Sequence, residues 1–596
     1  MKLKYTGLLL TLLMVVYFVP ANAQTKPVKK PAKGTESQQK TSAKNLGDAA
    51  AKTTADTTKK GGQGNTPANG GSLSEEIVVT TAYKPVLAEA VKIRRNPDLE
   101  DKVPFKAPLS YSPLDKKLTQ DNNIRQLEAM KRPAEQDSAL LNNYVKAGFG
   151  SLKTTFAEGY FANGRDEALQ TGGYFKHLSQ QGNIYKQNQS VNELGVFGKS
   201  INDENTLSGR LNYKRMGTYF YGFDPLNPPV NFEPARQTFN TFGAEGELAK
   251  NYQDVENAFT YALKLKGYIF SNAFSAKENN LVLSGFLNKT VNQFYAGVSG
   301  SLDLNTQKDS LYSINNSLLR ANPYIKFQGD NYKIDAGVNL VKEFGFSSRF
   351  FVFPAAKLEF QVIPKYVRLF AEAKGDVNRS SLQEFSETNP FIGQNINILN
   401  SVDQLDITIG LKGTLAPGLG FKAAVFRDNV KNLPLFVSNF AAEGNKYQVI
   451  YDGGKARISG FNGELDFRAS DNVDIFGRVE FKDYKLATEA KPWNLPKFKL
   501  TAGTTIHINN KIDVTGSLLF RGATIDPQPG YGSSASTTVY SNIASFADLN
   551  GGLSYKVNKN FSVFVQANNI LNSSNQTWLY YPNYGFNIFG GVGYSF

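Results

Sequence analysis

"FTYALKLKGYI", residues 259–269, alternates without a break. Phe259, Tyr261, Leu263, Leu265, Gly267 and Ile269 fall on one side; Thr260, Ala262, Lys264, Lys266 and Tyr268 fall on the other. Period two is the mark of a β-strand. The pattern recurs down the chain. At 332–341, Ile334, Ala336, Val338 and Leu340 oppose Lys333, Asp335, Gly337 and Asn339. At 405–412, Leu405, Ile407, Ile409 and Leu411 oppose Asp406, Thr408, Gly410 and Lys412. Segments 473–482 and 512–521 repeat it.

Alternation alone also fits a soluble sandwich, in which one face is buried and the other wet. Three features decide against that. The segments run ten residues or more, longer than the usual five or six, and long enough for a tilted transmembrane strand. Tight turns alternate with long loops. The chain also opens with an export address. In lipid every backbone N–H and C=O must be paired, and a closed barrel is the one sheet without edges. The fold predicted is all-β: a transmembrane outer-membrane β-barrel of about 22 antiparallel strands over 142–596, preceded by a signal peptide and a largely disordered periplasmic segment.

The strand count comes from the turns. Tight connections are predicted at 163–166, 202–205, 328–331, 363–365, 416–418, 469–472, 509–511 and 558–560, and longer loops at 180–189, 224–235, 305–316, 379–400, 432–445, 487–496, 525–544 and 573–584. Residues 446–468 read as one long strand. An even count puts both barrel termini at one rim, the periplasmic one, with long loops outside.

The N-terminus reads as an address. "MKLK" is basic, "YTGLLLTLLMVVYFVP" is apolar, and "ANAQ" follows. Ala21 and Ala23 occupy the positions a signal peptidase reads, so residues 1–23 are a signal peptide cut after Ala23. No later stretch approaches about 20 uninterrupted apolar residues, so no helical span is expected. The absence of cysteine excludes disulfides and thiolate metal sites.

Composition bounds the rest. The 596 residues hold 52 Gly, 43 Phe and 29 Tyr but only two His, with a mean hydropathy of −0.35. The net charge of +14 is partly local, since residues 24–71 carry nine Lys against Glu36, Asp48 and Asp56. No nucleic-acid-binding motif accompanies it, so nucleic acid is not an expected partner. Residues 24–71 have almost no large apolar side chain and are predicted to be a disordered linker. Residues 87–141 are broken by Pro97, Pro104, Pro108 and Pro113, with one short helix predicted over 114–132. They form a periplasmic or lumen segment.

Between linker and proline-rich segment stands "SLSEEIVVTTAYKPV" (72–86), a lone β-branched strand with no neighbour in sequence. At the other end, "GFNIFGGVGYSF" (585–596) sets Phe586, Ile588, Gly590, Val592, Tyr594 and Phe596 on one face. A terminal Phe596 on such a strand, with Val592 and Tyr594, reads as the insertion signal for outer-membrane barrel assembly machinery.

Residues 546–596, with Asp548, the turn at Asn558–Asn560, "NNIL" at 568–571 and an aromatic–Pro loop, resemble the C-terminal end of a TonB-dependent receptor barrel. "LPKFKLTAGTTIHINNK" (495–511) and "GKARISGFNGELDF" (454–467) resemble strands of that family, and the likeness is best over 400–596. The resemblance implies an outer-membrane receptor or transporter taking up a nutrient or ligand. It also implies that Glu75, Glu76, Ile77, Val78, Val79, Thr80 and Thr81 form a TonB-box-like docking strand for a TonB-type energy-coupling protein, paired by β-augmentation. Only about 60 residues separate Thr81 from the first barrel strand, and the family's plug domain is not recognisable there. The alternative reading is an interaction barrel, a subunit of a larger outer-membrane complex whose N-terminal segment reaches an outer-membrane or periplasmic partner.

No catalytic, metal-binding or cofactor motif is found, and the chain is expected not to be an enzyme. His177 and His507 read as structural. The aromatic loops 224–236, 526–542 and 575–586 are candidates for ligand contact. Trp578, Tyr580 and Tyr581, however, read first as membrane-interface anchors.

Overall fold

The computed structural model describes residues 143–163, 168–226, 231, 233–251, 259–291, 294–439, 445–470, 472–529 and 538–596. The signal segment with Ala21 and Ala23, the linker, the docking strand 75–81 and the helix predicted over 114–132 lie outside these residues.

Among the described residues, 22 strands form one antiparallel sheet in which each pairs with the next in the ring. The last strand, Asn587–Ser595, returns to the first, Tyr144–Gly150, in a register running from Tyr144↔Ser595 to Gly150↔Phe589. The closure is completed by the Phe596 N–H, which donates to the Asn143 carbonyl at 2.9 Å. The sheet therefore has no free edge, which is the condition for residence in lipid. Strand length is uneven, from 7 residues at Tyr144–Gly150 to 24 at Tyr447–Ser470.

The two faces separate as the alternation requires. Leu263, Leu265 and Ile269 point outward and are about half exposed, whereas Ala262, just before them on the other face, is buried. Ile334, Val338, Ile407, Ile409, Leu411, Ile475 and Phe481 are outward in the same way. The polar partners turn inward and pair: Lys264 with Glu245 at 2.8 Å, Arg320 with Asp376 at 3.0 Å, Arg478 with Glu464 at 2.8 Å. A soluble protein would have the opposite arrangement. On the last strand Phe586, Ile588, Val592, Tyr594 and Phe596 are all outward, and the Phe596 ring stacks on Tyr594 and lies 6.3 Å from Phe161.

This placement gives a sharp contrast. Leu263→Arg puts a charge on the lipid face and should cost about 2–4 kcal/mol at mid-bilayer. Lys264→Ala removes the inward ion pairs to Glu245 and Glu247 and should be mild. The yield of heat-modifiable, folded barrel in membranes measures both; equal yields would mean that the faces are reversed.

The connections correct the sequence reading in places. The loop expected over 305–316 is a four-residue turn, because strands reach Lys308 and restart at Ser313. The loop expected over 432–445 is shorter, because Leu419–Ser438 is a single 20-residue strand. Connections at 151–153, 273–276 and 346–349 are not among the turns and loops expected from sequence. At 151–153 the reason is visible. Leu152 (φ 53°) and Lys153 (φ 48°) adopt left-handed conformations that Asn or Gly usually announces. With these changes the long connections gather at one end, away from Asn143 and Phe596.

Candidate functional site: a loop-built cap over one mouth

Local sequence explains the cap's central hairpin. "LPLFV" (433–437) is a continuous apolar run, as expected of a strand buried on both faces. Its residues divide by parity. Leu433, Leu435 and Val437 join Ile458, Tyr484 and Trp493 in one hydrophobic cluster. Phe436 joins Tyr447, Val449 and Trp578 in another. The upper part of the hairpin Leu419–Ser438/Tyr447–Ser470 is thus a partition between two cores.

The larger core ties together loops that are distant in sequence and around the ring. Tyr221 lies between the fifth and sixth strands, Phe391 between the thirteenth and fourteenth, and Tyr581 between the last two. These anchor points are about a third of the circumference apart. Yet Phe391 stacks on Tyr581 with ring centroids 3.6 Å apart, and Tyr221 meets Tyr581 at 5.1 Å and Phe391 at 5.7 Å. Contacts between such anchors can only be made across the opening, so the three loops bridge the mouth. The Tyr581 hydroxyl donates to the Asn445 carbonyl and Tyr221 donates to the Pro582 carbonyl at 2.9 Å. Burial pushes both phenol pKa values up, so they remain donors.

The loop 379–400 is fastened to the wall by charge. Arg379 directs Nη1 to Glu278 at 2.7 Å, Nε to Asp303 at 3.0 Å and Nη2 to the Tyr268 hydroxyl at 3.3 Å. Glu278, fully buried, also accepts from Asn305, from the Ser381 hydroxyl and from the Gln383 N–H. Burial disfavours the Arg379 charge, but Tyr268, Asp303 and Glu278 outweigh it and hold the guanidinium protonated. The short helix α1, Leu382–Thr388, begins here with Ser381 as its N-cap. It places Leu382 and Phe385 in the core, and Lys214 holds its end through Glu387 at 2.8 Å. Phe391–Gly393 then pairs with Tyr447: the Gly393 N–H donates to the Tyr447 carbonyl, and the Tyr447 N–H to that of Phe391.

Trp578 and Tyr581 are not membrane-interface anchors. Both are buried in the cap, because the loop after Asn568 turns inward through its own small hairpin, Gln576–Trp578/Tyr581–Pro582. Composition cannot distinguish an aromatic that turns inward from one at the interface. His507 pairs with Asp513, which also faces Lys556 at 3.5 Å, beside the 509–511 turn as expected. His177 is on the outward wall, bonded to Thr155 Oγ1 at 3.1 Å and Asn192 Oδ1 at 2.7 Å. The two histidines are on separate strands and do not come together. Among the described residues no group of three or more His, Cys, Asp or Glu could hold a metal.

No protein-family model and no curated protein matches the sequence. Solved structures do. The chain is similar to the pyoverdine-bound FpvA receptor of Pseudomonas aeruginosa, with a TM-score of 0.58 at 12% identity over 76% of this chain and 72% of that one. It is similar to the FrpB iron transporter of Neisseria meningitidis, with a TM-score of 0.58 at 8% identity, covering 76% and 81%. It is similar to the siderophore receptor PirA of Acinetobacter baumannii, with a TM-score of 0.57 at 12% identity, covering 76% and 80%. Identities this low speak to architecture, and the chain has the transmembrane β-barrel fold of these receptors.

Proposed function

We propose that this chain is an outer-membrane receptor of the TonB-dependent type, taking up a nutrient or ligand through a barrel whose outer mouth is closed at rest by its own loops. The observation that carries the reading is the cap. A general pore needs an open mouth, whereas here three loops meet across it around Phe391 and Tyr581. A bridged mouth suits a protein that admits cargo on demand. The likeness to a siderophore receptor, an iron transporter and a pyoverdine receptor supports the same class without naming the cargo. The interaction-barrel alternative has no such support. In this reading residues 1–23 are removed, 24–71 are a tether, 75–81 dock to a TonB-type energy-coupling protein in the periplasm, and 87–141 lie in the periplasm or lumen. Val592, Tyr594 and Phe596 direct insertion by the barrel assembly machinery.

The docking strand is the testable part. Val79→Pro removes a backbone donor and fixes φ, so main-chain pairing in trans fails. Val79→Thr keeps both donor and β-branched shape. Photo-cross-linking from position 79 should capture an energy-coupling protein in the wild type and in a nearby Val78→Thr control, and not in a Val78→Pro variant, with barrel yield unchanged. Capture of a different periplasmic or outer-membrane protein would favour the interaction reading. Equal capture by the proline variant would remove the docking role.

A further inference from the structure

Outside the cap, the outward wall carries a hydrogen-bonded chain of three side chains. Thr155 Oγ1 lies 3.1 Å from His177 Nε2, and His177 Nδ1 lies 2.7 Å from Asn192 Oδ1. They come from three adjacent strands, Thr154–Ala162, Leu169–Gln181 and Asn188–Ile201. The register sets His177 directly opposite Asn192 and diagonal to Thr155. An amide carbonyl oxygen only accepts, so Nδ1 carries the proton and the Nε2 lone pair is left to the Thr155 hydroxyl. That is the order of a nucleophile, a general base and the group that orients the base. An imidazole that merely needs satisfying can take any two partners. Here one is a hydroxyl at Nε2 and the other a pure acceptor at Nδ1, which leaves a base beside an exposed nucleophile.

The chain stands where the wall turns from apolar to polar. Toward the cap along the lipid face, Ala157 is followed by Thr155 and Lys153, Phe175 by His177 and Ser179, and Leu194 by Asn192 and Ser190. At about 3.4 Å per residue and a tilt near 45°, His177 stands about 19 Å above Leu169, the periplasmic end of its strand, in an apolar band about 25 Å tall. Acyl chains in the outer leaflet would lie along Phe175 and Leu194 and bring an ester carbonyl to Thr155. We propose that Thr155, His177 and Asn192 form a hydrolase site on the outer wall for esters of long acyl chains. His177 Nε2 takes the Thr155 hydroxyl proton as Oγ1 bonds to the ester carbonyl carbon, and the carbonyl π pair moves to oxygen. The nearest cation in sequence, Lys153 on the turn two residues before Thr155, supplies the opposite charge. When the adduct collapses, the bond from the carbonyl carbon to the alcohol oxygen breaks, and His177 returns its proton to that oxygen. Water, deprotonated by His177, then cleaves the acyl-threonine ester, and the proton goes back to Thr155. The sum is ester plus water to acid plus alcohol. Asn192 is a positioning residue, since it acts only through the imidazole. The inference rests on the barrel lying in a membrane, which folded-barrel yield tests separately, and not on the transport reading.

The test uses full-length protein in detergent micelles, shown to be folded by heat-modifiability, with p-nitrophenyl palmitate as substrate. The wild type should release p-nitrophenol. Thr155→Val, which keeps the side-chain shape on a lipid-facing position, and His177→Gln should each lose about a hundredfold or more of that rate. Thr155→Ser keeps the hydroxyl and should keep the activity. Asn192→Ala should lower the rate about tenfold, and Asn192→Asp should restore it. An alkyl fluorophosphonate forms a phosphorus–oxygen bond at Oγ1 as fluoride leaves and His177 takes the proton. Peptide mass spectrometry should find this label on residue 155 of the wild type, and not in Thr155→Val or His177→Gln. Folded wild type with neither turnover nor label would overturn the proposal. So would turnover undiminished in Thr155→Val or His177→Gln, or a label on another residue. If one of these two variants does not fold, the other is read in the same way.

Discussion

Arg379→Met will detach the loop 379–400 from the barrel wall while leaving the barrel intact. Methionine keeps much of the arginine's volume but not its charge. Glu278 and Asp303, both buried, then face one another without their cation. Removing one partner of a buried ion pair costs about 3–5 kcal/mol, because the remaining charge is left uncompensated. Glu278 keeps several donors, among them Tyr268 at 2.7 Å and Asn305 at 2.8 Å, whereas Asp303 keeps the Asn280 amide at 2.6 Å, so Asp303 bears more of the loss. The triple variant Arg379→Met/Glu278→Gln/Asp303→Asn should therefore recover most of the stability lost by the single one. The protein carries its own reporter. Its only two tryptophans, Trp493 and Trp578, lie one in each cap core. A denaturant titration followed by tryptophan fluorescence reads the cap, and heat-modifiability on a gel reads the barrel. An unchanged fluorescence midpoint would mean that the cap is not held by this cluster.

Tyr581→Ala should have a comparable effect by another route. Its ring is fully buried and stacked on Phe391 with planes 16° apart. Truncating a large buried aromatic costs about 3–5 kcal/mol through lost transfer energy and the cavity left behind. The stacked partner adds about 0.5–1.5 kcal/mol. Tyr581→Phe keeps the ring and loses the hydroxyl's hydrogen bonds, to the Asn445 carbonyl and the Gly222 backbone, and should cost about 1 kcal/mol for each. The same fluorescence titration orders the three proteins. Alanine behaving like phenylalanine would show that the loops do not depend on this contact.

The barrel was legible from sequence because its rule is local. Period two needs only neighbouring residues, so Leu263, Ile407 and Phe481 could be assigned to one face without knowing what they would meet. The closing strand was legible for the same reason, up to Phe596. The cap was not. Tyr221, Phe391 and Tyr581 come from three loops, and nothing near any of them in sequence announces the other two. The run 433–437 lies within the loop expected over 432–445, and Pro434 inside it speaks against a strand; the structure accommodates it with a register shift between Lys431 and Leu433, where Asn432 is left-handed (φ 57°). Arg379 was invisible for a different reason. A buried arginine differs from a solvated one only in its partners, and here those lie 76 and 101 residues away.

The central claim is a barrel inserted in the outer membrane with its cap facing outward. The natural chain has no cysteine, so single cysteines report without background. Leu311 is highly exposed at the tip of a cap-side turn, and Lys559 is exposed in a turn at the opposite rim. In intact Gram-negative cells producing Leu311→Cys or Lys559→Cys, a membrane-impermeant maleimide should label position 311 and spare position 559. After the outer membrane is permeabilised, both should label. Labelling of 559 but not 311 in intact cells, or equal labelling of both, would contradict the account.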